Sequence, residues 1–403
     1  MSETPLARGD VSPAVAWLRT TAAIRERCNQ LLELGLANRL AHFRVEPSRL
    51  PAVVELVLEV TRAEYPSLDV PLHSRWRHFD AGGVNRVEEL EDRLKDATPQ
   101  ERARAKLDLV VVSVLLDAGS GPKWRYRERG GGTYARSEGL AVASFRMFMD
   151  GLFSSDPDRP LRADAEALGR LTREALAHGM QVSDSNPLDG LEGRLHLMHG
   201  LAKVLPRPGT LHDIITAQRR SVRAAELLGL VLEVLGPIWP GRVMVDAVNL
   251  GDVWPHSALG SAESPEGLVP FHKLSQWLTY SLVEPLAEAG VVVTELDGLT
   301  GLPEYRNGGL FVDMGVLVPR DPKLLSEALH PGDEPIVEWR ALTVALLDRV
   351  GALMRDRLGM TADELPLGKV LQGGTWTAGR KVAAEKRPGG VPPIRVQSDG
   401  TVF

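Results

Sequence analysis

The sequence predicts a mainly α, multihelical protein with a few short strands. Three observations carry this. Apolar residues recur at three- and four-residue spacing over long stretches, capping residues stand before them, and runs alternating with period two are few.

In chain order, Ser12 and Pro13 form a cap and first-turn pair before "AVAWLRTTAAIRERCNQLLELGLAN". "TPQE", Thr98 to Glu101, is a capping box with proline at the first helical position. It opens "RARAKLDLVVVSVLLDAG", whose β-branched run reads as buried helix because its flanks are capped. "LRADAEALGRLTREALAHGM" has helical spacing and a terminal glycine, Gly179. "LHDIITAQRRSVRAAELLGLVLEVLG", "PFHKLSQWLTYSL" and "IVEWRALTVALLDRVGALMRDRLGM" are read as three more helices. Strands are expected near 290–296, in "GVVVTEL", and in the terminal "PPIRVQSDGTVF". The expected organisation is one multihelical body, 1–384, two-lobed with a break near 154–190. A tail, 385–403, follows "EKRPGGVPP" and packs on the body through Val402 and Phe403.

The chain has 403 residues, 43% hydrophobic and 25% charged, with a net charge of −6. That charge argues against a nucleic-acid partner, which asks for a basic face. Cys28 is the only cysteine, so neither an intrachain disulfide nor a cysteine zinc cluster is available. No run approaches the roughly 20 apolar residues of a membrane span. The N-terminal stretch lacks a basic start followed by an apolar run. A cytoplasmic protein without a membrane partner is expected. There is no G-x-G-x-x-G, P-loop, H-E-x-x-H or G-x-S-x-G, so no cofactor is predicted. His196 and His199 share a helical face without a carboxylate at ligand spacing, so no metal is predicted either.

What remains is a set of polar, aromatic and glycine-bearing stretches on a helical scaffold, where sites are commonly built. "HSRWRHFDAGG" (73–83) holds Arg77 and His78. "DAGSGPKWRYRERGGGTYARSEG" (117–139) holds Trp124. "LQGGTWTAGRKVAAEKRP" (371–388) holds Trp376 and Arg380. Each alone has a plain structural reading, as loop cover or solvated charge.

Together, "HSRWRHF", "DAGSGPKWRY", "RSEGL", "LQGGTWTAGR" and "SDGTVF" resemble the uracil-catabolism family of fungi and bacteria. These are products of uracil-regulated genes in reductase-independent pyrimidine degradation. The resemblance spans nearly the whole chain. Leu72 stands where a second aromatic residue is expected. It implies a role after uracil has become a nucleotide and its ring has opened, with a ribosyl-urea species as the expected intermediate. Residues 268–345 also resemble, more remotely, the queuosine-salvage nucleoside hydrolases, which implies a DNA-glycosylase-like body. Their F-Y-K-R-A-Q helix is matched by Phe271 to Gln276. Their L-T-x-F-A-D-Y-R-V-P-Q loop is matched by Leu299 to Arg306, and their E-I-E-I-R-A helix start by Ile336 to Ala341. Two departures are Glu304 in place of an aspartate and Asn307-Gly308-Gly309 in place of Val-Pro-Gln. The second suggests a different leaving group.

Cleavage of an N-ribosyl bond passes through an oxocarbenium-like sugar, which a carboxylate below the ring stabilises. Glu304 or Asp297 can supply it, and Arg306 can hold Glu304 ionised or bind a sugar hydroxyl or phosphate. The competing reading is a buried pair, Glu304 with Arg340 or Arg306 with Glu338. On the 270–282 helix His272 and Gln276 share one face, and Lys273, Trp277 and Tyr280 another. The expected site takes this helix as a wall and the Glu304 loop as a floor. Arg77, His78, Trp124, Arg340, Trp376 and Arg380 are further candidates for substrate binding. The expected ligand is a small ribosyl or ribonucleotide molecule and the expected reaction N-ribosyl hydrolysis. A non-catalytic nucleotide-binding protein and an ammonia-releasing hydrolase are the alternatives.

Overall fold

Capping residues decide where the helices begin, and twice they break one that periodicity reads as continuous. The computed structural model describes residues 11–217 and 220–402. Thr98 Oγ1 accepts the Glu101 N–H at 3.2 Å and opens the Pro99–Leu115 helix. Thr20 Oγ1 accepts the Ala23 N–H at 3.1 Å, which splits the first expected helix into Pro13–Leu18 and Thr21–Leu36. Thr172 acts alike on Ala175, dividing Ala165–Arg170 from Arg173–Gly179. A third expected helix is interrupted by backbone pairing. Ser221–Arg223 separates Thr210–Thr216 from Ala224–Leu235 because it pairs, in parallel, with Val292–Thr294.

The protein is mainly α and multihelical. Its strands form two-stranded pairs of two or three residues, at more places than the two expected; Phe43–Val45 with Leu317–Pro319 is one addition. Pieces this short show no period-two pattern, so only contact with a distant partner reveals them.

Two helices form the centre. Glu334–Leu358 is buried without interruption from Ile336 to Leu347, and Lys273–Glu288 from Leu274 to Val283. A helix covered on all faces needs neighbours all round. Thr21–Leu36 lies along the first, and Pro99–Leu115 and Ala224–Leu235 along the second. One continuous apolar core reaches from Ile24 to Val402. Among the described residues no helix is long and apolar enough to cross a membrane.

Three close approaches position the site. The short Arg75–Phe79 helix docks on Lys273–Glu288 through Ser281: the Arg75 N–H donates to its Oγ and Trp76 Nε1–H to its carbonyl, each at 2.9 Å. Leu371–Thr375 forms a π-type turn against the Leu50–Glu64 helix. A Cβ on Gly374 would lie 2.4 Å from Val57 Cγ1. The Trp376–Lys386 helix then presses on Tyr305–Asp313, where a Cβ on Gly379 would lie 2.4 Å from the Arg306 carbonyl. The glycines of "LQGGTWTAGR" are therefore close-packing positions that place Trp376.

Residues 398–402 lie on the body. Thr401 and Val402 are 2% and 1% exposed, and Arg242 pairs with Asp399. Phe403 is outside the described residues.

Candidate functional site

An outer cleft of about 560 Å³ lies between the 75–79 and 376–386 helices; its lining includes Tyr65, Arg77, His78, Glu138, Gln372, Trp376 and Arg380. Behind its floor four rings touch. The His78 imidazole stacks on the Trp376 indole at 5.4 Å, and His73 lies 4.7 Å from Trp277 and 5.8 Å from Trp376. Arg306 and Arg380 both approach the Trp376 ring, at 4.6 and 4.8 Å.

Asp117 organises this wall. Its Oδ2 accepts from Ser137 Oγ at 2.7 Å, from Arg75 at 2.8 Å and from Trp277 Nε1 at 3.0 Å. Arg75 is fully buried, so the carboxylate neutralises a guanidinium that has no solvent. The loop carrying Asp117 is held by another buried arginine, Arg194, which donates to the carbonyls of Leu116, Ala118 and Gly119. Ser137 Oγ gives its one proton to Asp117 and receives one from Arg75 at 3.1 Å. Its remaining lone pair faces His78 Nδ1 at 3.0 Å, which assigns the imidazole proton to Nδ1. His78 Nε2 is then a bare acceptor with no partner among the described residues. Burial and the Arg75 charge lower the His78 pKa well below the ordinary histidine value, so the ring is neutral. Burial likewise brings His73 down to about 4, against the raising effect of its 2.8 Å hydrogen bond to Gln372.

Glu304 caps the Tyr305–Asp313 helix with both carboxylate oxygens. Oε2 accepts the Arg306 N–H at 2.9 Å and Oε1 the Asn307 N–H at 2.6 Å. Burial raises its pKa, while those N–H groups and the charges of Arg306 and Lys273 pull the other way. Lys273 opens the Lys273–Glu288 helix, where the positive helix terminus also disfavours an ammonium. Burial lowers its pKa despite Asp117 and Glu304. Lys273, Glu304 and Tyr305 are half-buried.

Of the sequence-expected residues, the structure brings Arg77, His78, Trp376 and Arg380 to the cleft lining and Trp277 and Arg306 against its rings, while Lys273 and Glu304 are outside the lining, at the starts of the helices that carry Trp277 and Arg306. It gives the others structural partners. Asp297 accepts from the Leu367 N–H and Arg355, away from the rings. His272 meets the Leu18 carbonyl at 2.8 Å. Gln276 bonds Thr300 at Oγ1 (2.7 Å) and N–H (2.9 Å), tying the Glu304 loop to its helix. Trp124 is wholly buried and donates to the Met180 carbonyl. Arg340 makes a bidentate pair with Asp252 at 2.8 and 2.9 Å over the Phe271 ring. Where the competing pairs were expected, Arg340 holds Asp252, and Glu338 accepts the His42 and Phe43 N–H groups. Gly308 is a close-packing position, since a Cβ there would lie 2.6 Å from the Trp339 indole.

Sequence reasoning passed over His73, Arg75, Asp117, Arg136, Ser137, Glu138 and Gln372. All lie inside the stretches singled out above, and "RSEGL" supplies three in a row. Arg136 covers the Tyr305 ring at 5.7 Å, Ser137 bridges His78 and Asp117, and Glu138 pairs with Arg380. Arg136 takes a left-handed backbone, φ 56°, a strain tolerated where surroundings dictate it.

Fold and site define a helical protein with an aromatic, histidine-lined cleft backed by buried charges. The chain belongs to the family described as "Protein of unknown function (DUF1688)", which matches residues 17–403. It is 41% identical to "Protein urg3" of Schizosaccharomyces pombe over 403 residues, covering 96% of this chain and 99% of that one. It is 37% identical to "Uracil catabolism protein 4" of Lachancea kluyveri over 440 residues, covering 98% and 100%.

Proposed function

We propose that this protein acts in uracil catabolism as an N-ribosyl hydrolase on a ribosyl-urea or a ring-opened uracil ribonucleotide. The role in uracil catabolism is supported by the name of the Lachancea kluyveri relative and by identity over nearly the whole of both chains. The observation that carries the reaction is the setting of Glu304. Its carboxylate is fixed by two backbone N–H groups, close enough to Lys273 and Arg306 to feel both charges, at the head of the helix whose Arg306 covers the Trp376 ring. Water adds to C1 of the sugar as the C1–N bond breaks, and the urea nitrogen leaves with a proton. Glu304, ionised, opposes the positive charge that develops on the sugar. The helix terminus, Arg306 and Lys273 favour that ionised form and counter part of the burial, which still raises the Glu304 pKa.

The test is incubation with N-ribosylurea and its 5-phosphate, measuring urea, reducing sugar and ammonia separately. Urea with free sugar is expected. Ammonia without free sugar would make the protein a deamidating hydrolase instead, and no product of either kind would leave a binding protein. Glu304→Gln should lower turnover by about 10²–10³-fold. It should cost only about 1 kcal/mol of stability, because the amide oxygen still caps the helix. Unchanged turnover in that variant would remove Glu304 from the chemistry.

A further inference from the structure

Arg306 stands out among the buried cations. It is 7% exposed, and its guanidinium has no carboxylate, carbonyl or hydroxyl acceptor among the described residues. Its contacts are two ring faces, Trp376 at 4.6 Å and Tyr305 at 5.1 Å. The other buried arginines at the site differ: Arg75 has Asp117, and Arg194 has four carbonyls. An unmatched buried charge is costly unless something arrives to pair with it. Lys273, half-buried, is a second cation with no ion pair or hydrogen bond to its ammonium among the described residues. Lys273 stands one helical turn before Trp277, whose ring meets His73, and His73 meets the Trp376 ring that Arg306 covers, so the two cations adjoin one aromatic cluster. Glu304 cannot neutralise both, and its two oxygens are already engaged by backbone N–H groups.

We propose that the ligand of this site carries a phosphate monoester, and that Arg306 and Lys273 are its anchor. A phosphate brings about two negative charges at neutral pH and three acceptor oxygens. That matches a guanidinium fork and an ammonium which have donors and no acceptors. Tyr305 Oη, also without a partner among the described residues, is a further donor on the ring that Arg306 covers. The substrate class is therefore a ribosyl 5-phosphate derivative and not the free riboside. This rests on the ribosyl reading of the site, and the two can fail separately.

The experiment compares ribose 5-phosphate, ribose and inorganic phosphate by calorimetry on the full chain, with turnover measured on N-ribosylurea and its 5-phosphate. Ribose 5-phosphate should bind about 10- to 100-fold more tightly than ribose, as a charge-assisted contact implies. Arg306→Gln should bring the ratio near one, with Arg306→Lys intermediate. Equal affinities for ribose and its phosphate in the wild-type protein would overturn the proposal, and this comparison needs no variant to fold. Inorganic phosphate binding as tightly as ribose 5-phosphate would also overturn it, since the sugar would add nothing. Discrimination without turnover upholds the anchor and removes the hydrolase. Equal turnover with and without the phosphate keeps the hydrolase and removes the anchor.

Discussion

At the scale of single residues, the site is built from groups whose ordinary partners have been withheld or reassigned. Glu304 and Lys273 were singled out in the sequence through a motif resemblance alone. Asp117 and Ser137 were not, because a lone aspartate and serine acquire meaning only when 75, 78, 117, 137 and 277 meet in space. Asp117→Asn tests that meeting point. It leaves the Arg75 guanidinium buried and unmatched, and should destabilise the protein by about 3–5 kcal/mol in urea unfolding. A loss below about 1 kcal/mol would mean that Arg75 finds another partner. The histidines give a pH prediction. His73 has a folded pKa of about 4, below its unfolded value. As pH falls from about 6.5 to 4 the unfolded chain binds the proton and the folded one does not, so stability drops with falling pH. His73→Gln keeps a hydrogen-bonding amide beside Gln372 and removes that titration. The wild-type protein should therefore lose up to about 1.4 kcal/mol per pH unit more than the variant across this window. Parallel stability curves would sink the assignment of a neutral His73.

Among the elements, side-chain caps and close approaches override periodicity. Helix content was legible from apolar spacing, and the Thr98 box marked a true start. The breaks at Thr20 and Thr172 were not, since each threonine sits inside an acceptable helical pattern and only the direction of its hydroxyl ends one helix and begins another. The 221–223 strand was hidden for a different reason: its partner lies some seventy residues away at 292–294. Glycines were visible in the sequence, but their purpose was not. At Gly374 the π-type turn presses on the 50–64 helix with no room for a methyl group. Gly374→Ala should cost about 1–3 kcal/mol by overpacking against Val57. Because Trp376 follows two residues later, it should also shift tryptophan fluorescence and weaken ligand affinity. Lost stability with unchanged affinity would show that the turn supports the fold without setting the indole.

For the molecule as a whole, the chain end is part of the body. Gly400 has φ 83°, and a Cβ on Gly190 would lie 2.2 Å from the Gly400 nitrogen, so two glycines let the end of the chain cross the start of the 191–204 helix. Thr401 Oγ1 and the Asp399 carboxylate both meet Arg242, whose guanidinium lies 5.3 Å from the Trp254 ring. Trp254 Nε1 in turn donates to Asp252 at 2.7 Å, and Asp252 holds both Arg340 and the Lys273 N–H. A continuous set of contacts thus joins the last residues to the helix that starts at Lys273. Truncation after Gln397 removes the buried Val402, worth about 1.5–3 kcal/mol by itself, and releases Arg242. The melting temperature should fall. The sharper expectation concerns binding: with Arg242 free, Trp254 loses its cover and the Asp252 hub loosens, so ribose 5-phosphate affinity should fall even at temperatures where the truncated chain stays folded. Arg242→Gln in the full chain separates the two effects, since it cuts the link to Trp254 while leaving Val402 buried. If truncation lowers melting alone and Arg242→Gln leaves affinity untouched, the tail is an anchor for the fold and has no hold on the site.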